Sequence, residues 1–223
     1  MENPIRNLAR LESESFYHVF NRTNNKETLF KNSDDHHFFL DRTKRYLSGY
    51  FEIYAYCLIG NHFHLLVKTK PTQVILSELR SKSKVELIKS EIKLTEVDDL
   101  DQEAIHDMYR IQLLRLFTAY SKNYNRLYGR SGNLFYRPFK RILVSDLEYV
   151  KSIILYIHKN PVKHLLTKDF KNFEWSSYYD YLNEESKIID IEKRIEIFGS
   201  MDAFNHLHNS KNSYEDIAEL LLE

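Results

Sequence analysis

The sequence lacks three features that are common in secreted and membrane proteins: paired cysteines, a long apolar run and a signal pattern in its first residues. Its single cysteine, Cys57, cannot form an internal disulfide, and in an apolar stretch a free cysteine behaves as a small buried hydrophobe. No run approaches the roughly 18 apolar residues of a membrane span. The first residues, Met1 to Pro4, lack the basic-then-apolar pattern of a secretory signal. We therefore expect no disulfide framework and no membrane partner, in a reducing, cytoplasmic setting.

The sequence also lacks net charge, with 32 basic and 32 acidic residues. A total of zero excludes a protein-wide field that would attract nucleic acid. The charges are nevertheless unevenly distributed. Between Tyr120 and Lys168 only Asp146 and Glu148 oppose the basic residues, whereas acidic residues outnumber basic ones from Asn183 onward. The neutral total therefore hides a basic middle and an acidic end.

A length of 223 residues with 43% hydrophobic composition is enough for one globular domain. The hydrophobic patterns predict elements in the order β-α-β-β-α-β-α. The first strands are residues 16–22, 51–59 and 62–68. Because only Gly60 and Asn61 separate the second from the third, we expect these two to pair antiparallel. The sequence therefore predicts an α+β domain with an antiparallel sheet and helices on one face.

Two further helices are predicted after the third strand and the charged insertion. One covers residues 108–128 and the other residues 145–160. In the second, Ser145 and Glu148 have the spacing of a capping box, and Pro161 is expected to end the helix.

Two charged stretches divide the chain into its predicted parts. The main domain covers residues 1–182, with a charged helical insertion at about 80–107. Residues 183–223 are predicted to form an acidic helical C-terminal extension.

The stretch from Gly60 to Val67 is the first to indicate chemistry. His62 and His64 flank Phe63, and successive side chains of a strand point to opposite faces. The two imidazoles therefore share one face, and Phe63 points into the core. Two imidazoles on one face can hold a divalent metal, although exposed or hydrogen-bonded histidines on a strand would have the same sequence.

The helix before Pro161 carries a second pair of interest. Tyr156 and Asn160 are four residues apart and so lie on one helical face. Ile154 and Ile157 belong to the buried stripe, so we expect Tyr156 to flank the core rather than fill it. A phenol is a potential nucleophile, and an amide is a neutral oxygen ligand. A tyrosine that only packs and an asparagine that only ends a helix are the plainer alternatives.

Taken together, these motifs resemble the HUH single-tyrosine transposases, in particular the REP-associated tyrosine transposases. A His-hydrophobe-His strand follows two earlier β elements, and a Tyr-x-x-x-Asn-Pro-Val helix comes later. The resemblance covers residues 16–182 approximately and leaves out the insertion and the acidic end. The stretches that carry it are Tyr17-His18-Val19 with Asn21-Arg22, Asn61-His62-Phe63-His64-Leu65-Leu66-Val67, Gly132-Asn133-Leu134-Phe135 with Arg137, Tyr156 to Val162, and Trp175-Ser176-Ser177-Tyr178.

The resemblance implies a ferredoxin-like or RRM-like sheet and a DNA transposase activity. His62 and His64 would hold Mg²⁺ or Mn²⁺, with Asn160 as the third ligand where many relatives carry glutamine. Tyr156 would be the nucleophile. The implied reaction is cleavage and rejoining of single-stranded DNA near hairpins, through a covalent 5′-phosphotyrosine.

The basic middle of the chain is the expected DNA-binding region. Its cations can follow a phosphate backbone, and Phe135, Tyr136 and Phe139 can stack on unpaired bases. The alternative is that these cations form a solvated surface and that the three aromatic residues pack in the core. Lys159 or Lys163 would also favour the Tyr156 phenolate. The cations expected to contact DNA are Lys122, Arg126, Arg130, Arg137, Lys140, Arg141, Lys159 and Lys163.

Two other functions are compatible with the sequence. The chain can be a non-catalytic nucleic-acid-binding protein in which the histidines are structural. It can also be a metal hydrolase in which Tyr156 only positions the substrate. Related enzymes act as monomers or as dimers that join their sheets, so the sequence leaves both a monomer and a homodimer open.

Overall fold

The computed structural model describes residues 8–81, 101–183, 186 and 188–210. None of the helices in these ranges has both the length and the hydrophobicity that crossing a bilayer requires. In chain order the elements are β1 (Phe16–Arg22), α1 (Ser33–Leu47), β2 (Phe51–Ile59), β3 (His62–Thr69), α2 (Thr72–Ser81), α3 (Gln102–Leu127), β4 (Lys140–Val144), α4 (Leu147–Lys163), α5 (Ser177–Asn183), α6 (Lys193–Phe198) and α7 (Met201–Asn209).

The strands form one antiparallel sheet in the order β2-β3-β1-β4. β2 and β3 form the expected hairpin around Gly60 and Asn61. With α1 following β1 and α3 preceding β4, the chain has the βαββαβ order of a ferredoxin-like fold. The predicted α+β class with an antiparallel sheet is confirmed, and the predicted limits of β1 and β2 are those observed.

Helices cover both faces of the sheet. On one face, Phe63 of β3 packs against Phe39 of α1 and Phe117 of α3, with ring centroids 4.8 and 5.4 Å apart. Phe63 is fully buried, and burying such a side chain stabilises a protein by about 1.5–3 kcal/mol. α4 packs on the opposite face, over β2 and β3. The expectation of helices on one face was wrong, because the apolar stripe of α4 also needs a sheet to cover it.

The ends of α4 differ from the prediction. Asp146 is the N-cap instead of Ser145, and its carboxylate accepts a hydrogen bond from a first-turn N–H at 2.8 Å. A carboxylate there also interacts favourably with the helix dipole. The helix continues past Asn160 and includes Pro161. A proline in the last turn removes only one amide donor, and the Asn160 carbonyl still accepts a hydrogen bond from His164 N at 3.0 Å.

The two charged stretches are described in part. α2 ends at Ser81 and α3 begins at Gln102, so residues 82–100 of the predicted insertion lie outside the described residues. α3 begins earlier than expected because the Asp101 carboxylate caps it, accepting a hydrogen bond from Ala104 N at 2.8 Å. In the predicted C-terminal extension, α6 and α7 are helical, and residues 211–223 lie outside the described residues.

Other segments contact both edge strands of the sheet. On β2, Leu58 N donates a hydrogen bond to Trp175 O at 2.9 Å. Tyr56 N donates a hydrogen bond to the hydroxyl of the first residue of α5 at 2.9 Å. On β4, Arg141 O accepts a hydrogen bond at 3.1 Å from Ala9, which lies before β1.

Candidate functional site

β3 places its two histidines side by side. The rings of His62 and His64 are 5.2 Å apart between centroids, while Phe63 faces the opposite helices. His64 is fully buried and His62 is partly exposed. The predicted placement of both imidazoles on one face is confirmed, and the pair has one member that solvent can reach.

α4 and its C-cap residue, His164, present polar residues at four-residue spacing to this pair. The Tyr156 ring lies 5.5 Å from the His64 ring, and the His164 ring lies 4.6 Å from the His62 ring. Asn160 is one helical turn from each, so it lies between these two contacts. The structure therefore brings together the predicted ligands and the predicted nucleophile. Sequence reasoning missed His164, although its four-residue spacing from Asn160 was a usable signal.

Asn160 is the best candidate for a third ligand. Its side chain is fully buried, and neither Oδ1 nor Nδ2 has a hydrogen-bond partner among the described residues. A buried polar group left in this state costs about 1–3 kcal/mol. In the described ranges, no three His, Cys, Asp or Glu side chains stand together as a metal ligand set. An amide oxygen beside two imidazoles fits a hard divalent cation.

Hydrogen bonds at Nδ1 determine how the two histidines can bind a metal. His62 Nδ1 lies 2.8 Å from Asn61 Oδ1. Because an amide oxygen only accepts, Nδ1 carries the proton and Nε2 keeps its lone pair. His64 Nδ1 lies 3.0 Å from Nε2 of His18, which is also fully buried. Burial, and next the nearby His62, lowers the pKa of His64 well below its ordinary value, so its imidazole is neutral, as a metal ligand requires.

Tyr156 is fully buried against the histidines. Its ring lies 5.9 Å from the His18 ring as well as 5.5 Å from the His64 ring. The expectation that Tyr156 flanks the core was wrong, because the imidazoles of His18 and His64 pack against its ring and bury it. Lys163 Nζ donates a hydrogen bond to the Tyr156 hydroxyl at 3.4 Å. Lys159 instead donates to a backbone carbonyl after α7 at 3.2 Å, so Lys163 is the cation at the phenol.

The other predicted DNA-binding cations are spread over the protein. Lys140 is near the site, because its Nζ lies 5.6 Å from the Phe20 ring, which is 5.8 Å from the His64 ring. Arg130 forms two hydrogen bonds with the Glu27 carboxylate, at 2.6 and 2.8 Å. Arg141 is buried, and its Nε donates to a backbone carbonyl before β1 at 2.6 Å. Exposed on the surface are Lys122, Arg126 and Arg137.

The aromatic residues expected to stack on bases have two different environments. Phe135 and Phe139 are only 5% and 4% exposed. Their rings lie 5.7 and 5.3 Å from the ring of Phe117, so for these two the core alternative is correct. Tyr136, with 45% of its surface exposed, remains able to stack on a base.

A second buried histidine pair joins α4 to the C-terminal helix α7. His158 Nδ1 lies 2.8 Å from His208 Nε2, and His158 Nε2 lies 2.7 Å from Ser177 Oγ. His208 Nδ1 donates to Phe204 O at 2.7 Å, which leaves its Nε2 to accept from His158. Burial lowers the pKa of both histidines, that of His208 to about 4. This chain of hydrogen bonds fixes α7 to the helix that carries Tyr156.

We expect the free energy of unfolding to fall as the pH falls from about 6.5 toward 4. In the unfolded chain the imidazoles of His158 and His208 bind protons near pH ~6.5. In the folded protein, His208 binds its proton at a pKa of about 4. The unfolded state therefore holds more protons in this window, and stability rises with pH. His208 alone accounts for up to about 3 kcal/mol. Urea unfolding at about pH 8 and about pH 5 measures the effect. His208→Gln should reduce the pH dependence, and an unchanged dependence would contradict this assignment.

Comparison with known proteins gives a distant structural similarity. No protein-family model matches the chain, and no curated protein matches it. A solved structure of a REP-associated tyrosine transposase bound to a REP hairpin superposes with a TM-score of 0.49 and 14% sequence identity. The similarity covers 82% of this chain and 86% of that one. What the protein does is therefore inferred from its own side chains.

Proposed function

We propose that the protein is a metal-dependent enzyme that cleaves and rejoins single-stranded DNA through Tyr156. The observation that carries the proposal is the position of the Tyr156 ring, 5.5 Å from the His64 ring. The same helical face carries Asn160, and the Lys163 ammonium contacts the phenol. The proposed nucleophile thus lies next to the proposed metal ligands. A cation that can stabilise its phenolate lies at the same site.

Three side chains would hold the metal ion. His62 and His64 offer imidazole nitrogens, and Asn160 offers an amide oxygen. The imidazole nitrogens suit Mn²⁺, and the amide oxygen suits Mg²⁺, which prefers oxygen ligands. We therefore propose that the site holds either Mn²⁺ or Mg²⁺. When bound, the ion supplies positive charge that stabilises the extra negative charge on a phosphodiester under attack.

The proposed step exchanges one phosphodiester bond for another. The Tyr156 oxygen attacks phosphorus, and the bond from phosphorus to the 3′ oxygen breaks. The products are a 5′-phosphotyrosine and a 3′-hydroxyl, which gains a proton in place of the one that the phenol loses. Lys163 stabilises the phenolate as it forms. Because the bond energy is kept, a 3′-hydroxyl can reverse the step and rejoin the strand without ATP.

The test is the formation of a covalent adduct. The protein is incubated with single-stranded DNA that carries repeat hairpins of its source genome, together with Mn²⁺ or Mg²⁺. A protein–DNA band that survives denaturing electrophoresis is the expected result. Binding without an adduct would support the non-catalytic alternative, and cleavage without an adduct would support the hydrolase. Absence of an adduct with every hairpin would overturn the proposal.

His18 is expected to act as a positioning residue for His64. If His64 Nδ1 donates to His18 Nε2, the His64 Nε2 lone pair is kept for the metal. We expect His18→Phe, which keeps a ring in this buried site, to weaken Mn²⁺ binding about 10- to 100-fold. His18→Gln retains an acceptor and should restore part of the affinity. Calorimetric titration with Mn²⁺ measures both variants without reference to activity, and equal affinities would exclude this role.

A further inference from the structure

β1 places a cation on the same face as the histidine pair. Arg22, the last residue of β1, is the direct partner of His62 in the antiparallel ladder. Directly opposed residues of such a ladder project from the same face of the sheet. The Arg22 side chain is exposed, and its guanidinium carbon lies 4.9 Å from the centroid of the Tyr136 ring. The arginine that is paired with His62 therefore contacts an exposed aromatic ring.

Hydrogen bonds hold the Tyr136 segment against the end of β1. Tyr136 N donates to Arg22 O at 3.0 Å, and Asn21 Nδ2 donates to Tyr136 O at 3.0 Å. Two residues earlier, Leu134 O accepts a hydrogen bond from Asn24 N at 2.8 Å. The arginine and the ring are thus positioned before any ligand arrives, which lowers the conformational entropy lost on binding.

Positive charge continues from Arg22 along the same face. Phe20 of β1 is opposite His64 on one side and opposite Lys140 of β4 on the other. The Lys140 ammonium lies 5.6 Å from the Phe20 ring centroid. Since adjacent strands are about 4.8 Å apart, Arg22 and Lys140 both lie within the length of one or two nucleotides from the histidine pair.

We propose that Arg22 and Tyr136 form a nucleotide-binding platform for single-stranded DNA next to the site of cleavage. Arg22 holds a phosphate adjacent to the one under attack, because a planar guanidinium matches phosphate geometry. Tyr136 stacks on the unpaired base of that nucleotide, as exposed aromatic rings do in proteins that bind single strands. The inference rests on the proposed function and adds the residues that position the strand.

The test measures binding in the full chain carrying Tyr156→Phe, so that no adduct forms. The probe is a fluorescent hairpin with single-stranded flanks, followed by anisotropy between about 50 and 200 mM salt. Arg22→Ala should weaken binding about tenfold and reduce the slope of log affinity against log salt by about 0.7, the value for one phosphate of a single strand. Arg22→Lys should keep the salt slope.

The proposed stacking of Tyr136 on a base is tested by substitution and by removal of single bases from the probe. Tyr136→Ala should weaken binding about 5- to 100-fold, as expected for the loss of one stacked base, with the salt slope unchanged. Tyr136→Phe should bind as the parent does. On a series of probes with one abasic position each, the effect of Tyr136→Ala should disappear for the probe that lacks the stacked base.

The control is a cation–aromatic pair on α1, on the other face of the sheet. The Arg45 guanidinium lies 5.9 Å from the Tyr46 ring centroid, and Arg45→Ala should leave affinity and salt slope unchanged. Equal binding by the Arg22→Ala and Arg45→Ala proteins would overturn the inference. If the unmodified protein still forms the adduct, only the platform fails. If the parent binds no probe at all, the proposed function fails as well.

Discussion

Replacing Tyr156 by phenylalanine is expected to abolish the covalent adduct, by about 10³-fold or more, while DNA affinity changes little. The substitution keeps the ring that packs against His18 and His64 and removes only the attacking oxygen. Because the side chain is fully buried, the hydroxyl is not a surface contact for DNA in the free protein. Denaturing electrophoresis measures the adduct, and anisotropy measures the affinity of the same preparation.

Tyr149 provides a matched control for this experiment. It lies in the first turn of the same helix and is partly buried. Tyr149→Phe also removes one phenol oxygen from α4, and it should leave the adduct yield unchanged. If the Tyr156→Phe protein still cleaves DNA, water is the nucleophile and the hydrolase alternative is correct.

Loss of either histidine of the pair is expected to remove metal-dependent cleavage. His62→Ala should lower the rate of adduct formation by about 100-fold or more, because charge stabilisation at the phosphate is lost. His62 is partly exposed, so this substitution affects folding less than His64→Ala at the fully buried position. We expect His64→Ala to abolish cleavage, and a chelator to do the same to the unmodified protein.

The metal assignment needs a readout that is separate from cleavage. Calorimetric titration with Mn²⁺ should show weaker binding by His62→Ala and by Asn160→Ala than by the unmodified protein. His37→Ala is the control, since that partly exposed histidine lies on α1 beside Trp175. A Mn²⁺ affinity that is equal in all four proteins would contradict the proposed ligand set. Restoration of cleavage when Mn²⁺ is added in excess of the chelator should complete the series.

Local periodicity was enough to predict the geometry within each element of the site. The two-residue repeat of β3 puts His62 and His64 on one face, and the four-residue repeat of α4 aligns Tyr156 with Asn160. Both relations depend on neighbours along the chain, which the sequence displays directly. The antiparallel pairing of β2 with β3 follows from the short turn at Gly60 and Asn61.

Contacts between distant elements could not be predicted in the same way. His18 and His64 are 46 residues apart along the chain, and their hydrogen bond depends on the register of β1 against β3. The contact between Arg22 and Tyr136 depends likewise on how the chain before β4 returns to β1. The burial of Tyr156 is set by the imidazoles that α4 meets, which the helical pattern alone does not contain.

The contacts along β2 close one edge of the sheet to strand addition. An edge strand with open amides is a template for strand addition, by a partner or in an aggregate. Here the chain at residues 175–177 accepts hydrogen bonds from Tyr56 and Leu58, and the Tyr181 hydroxyl donates to Tyr54 O at 2.5 Å. A second copy could extend the sheet at β2 only by displacing these groups. The fold thus protects this edge against strand addition by a second copy.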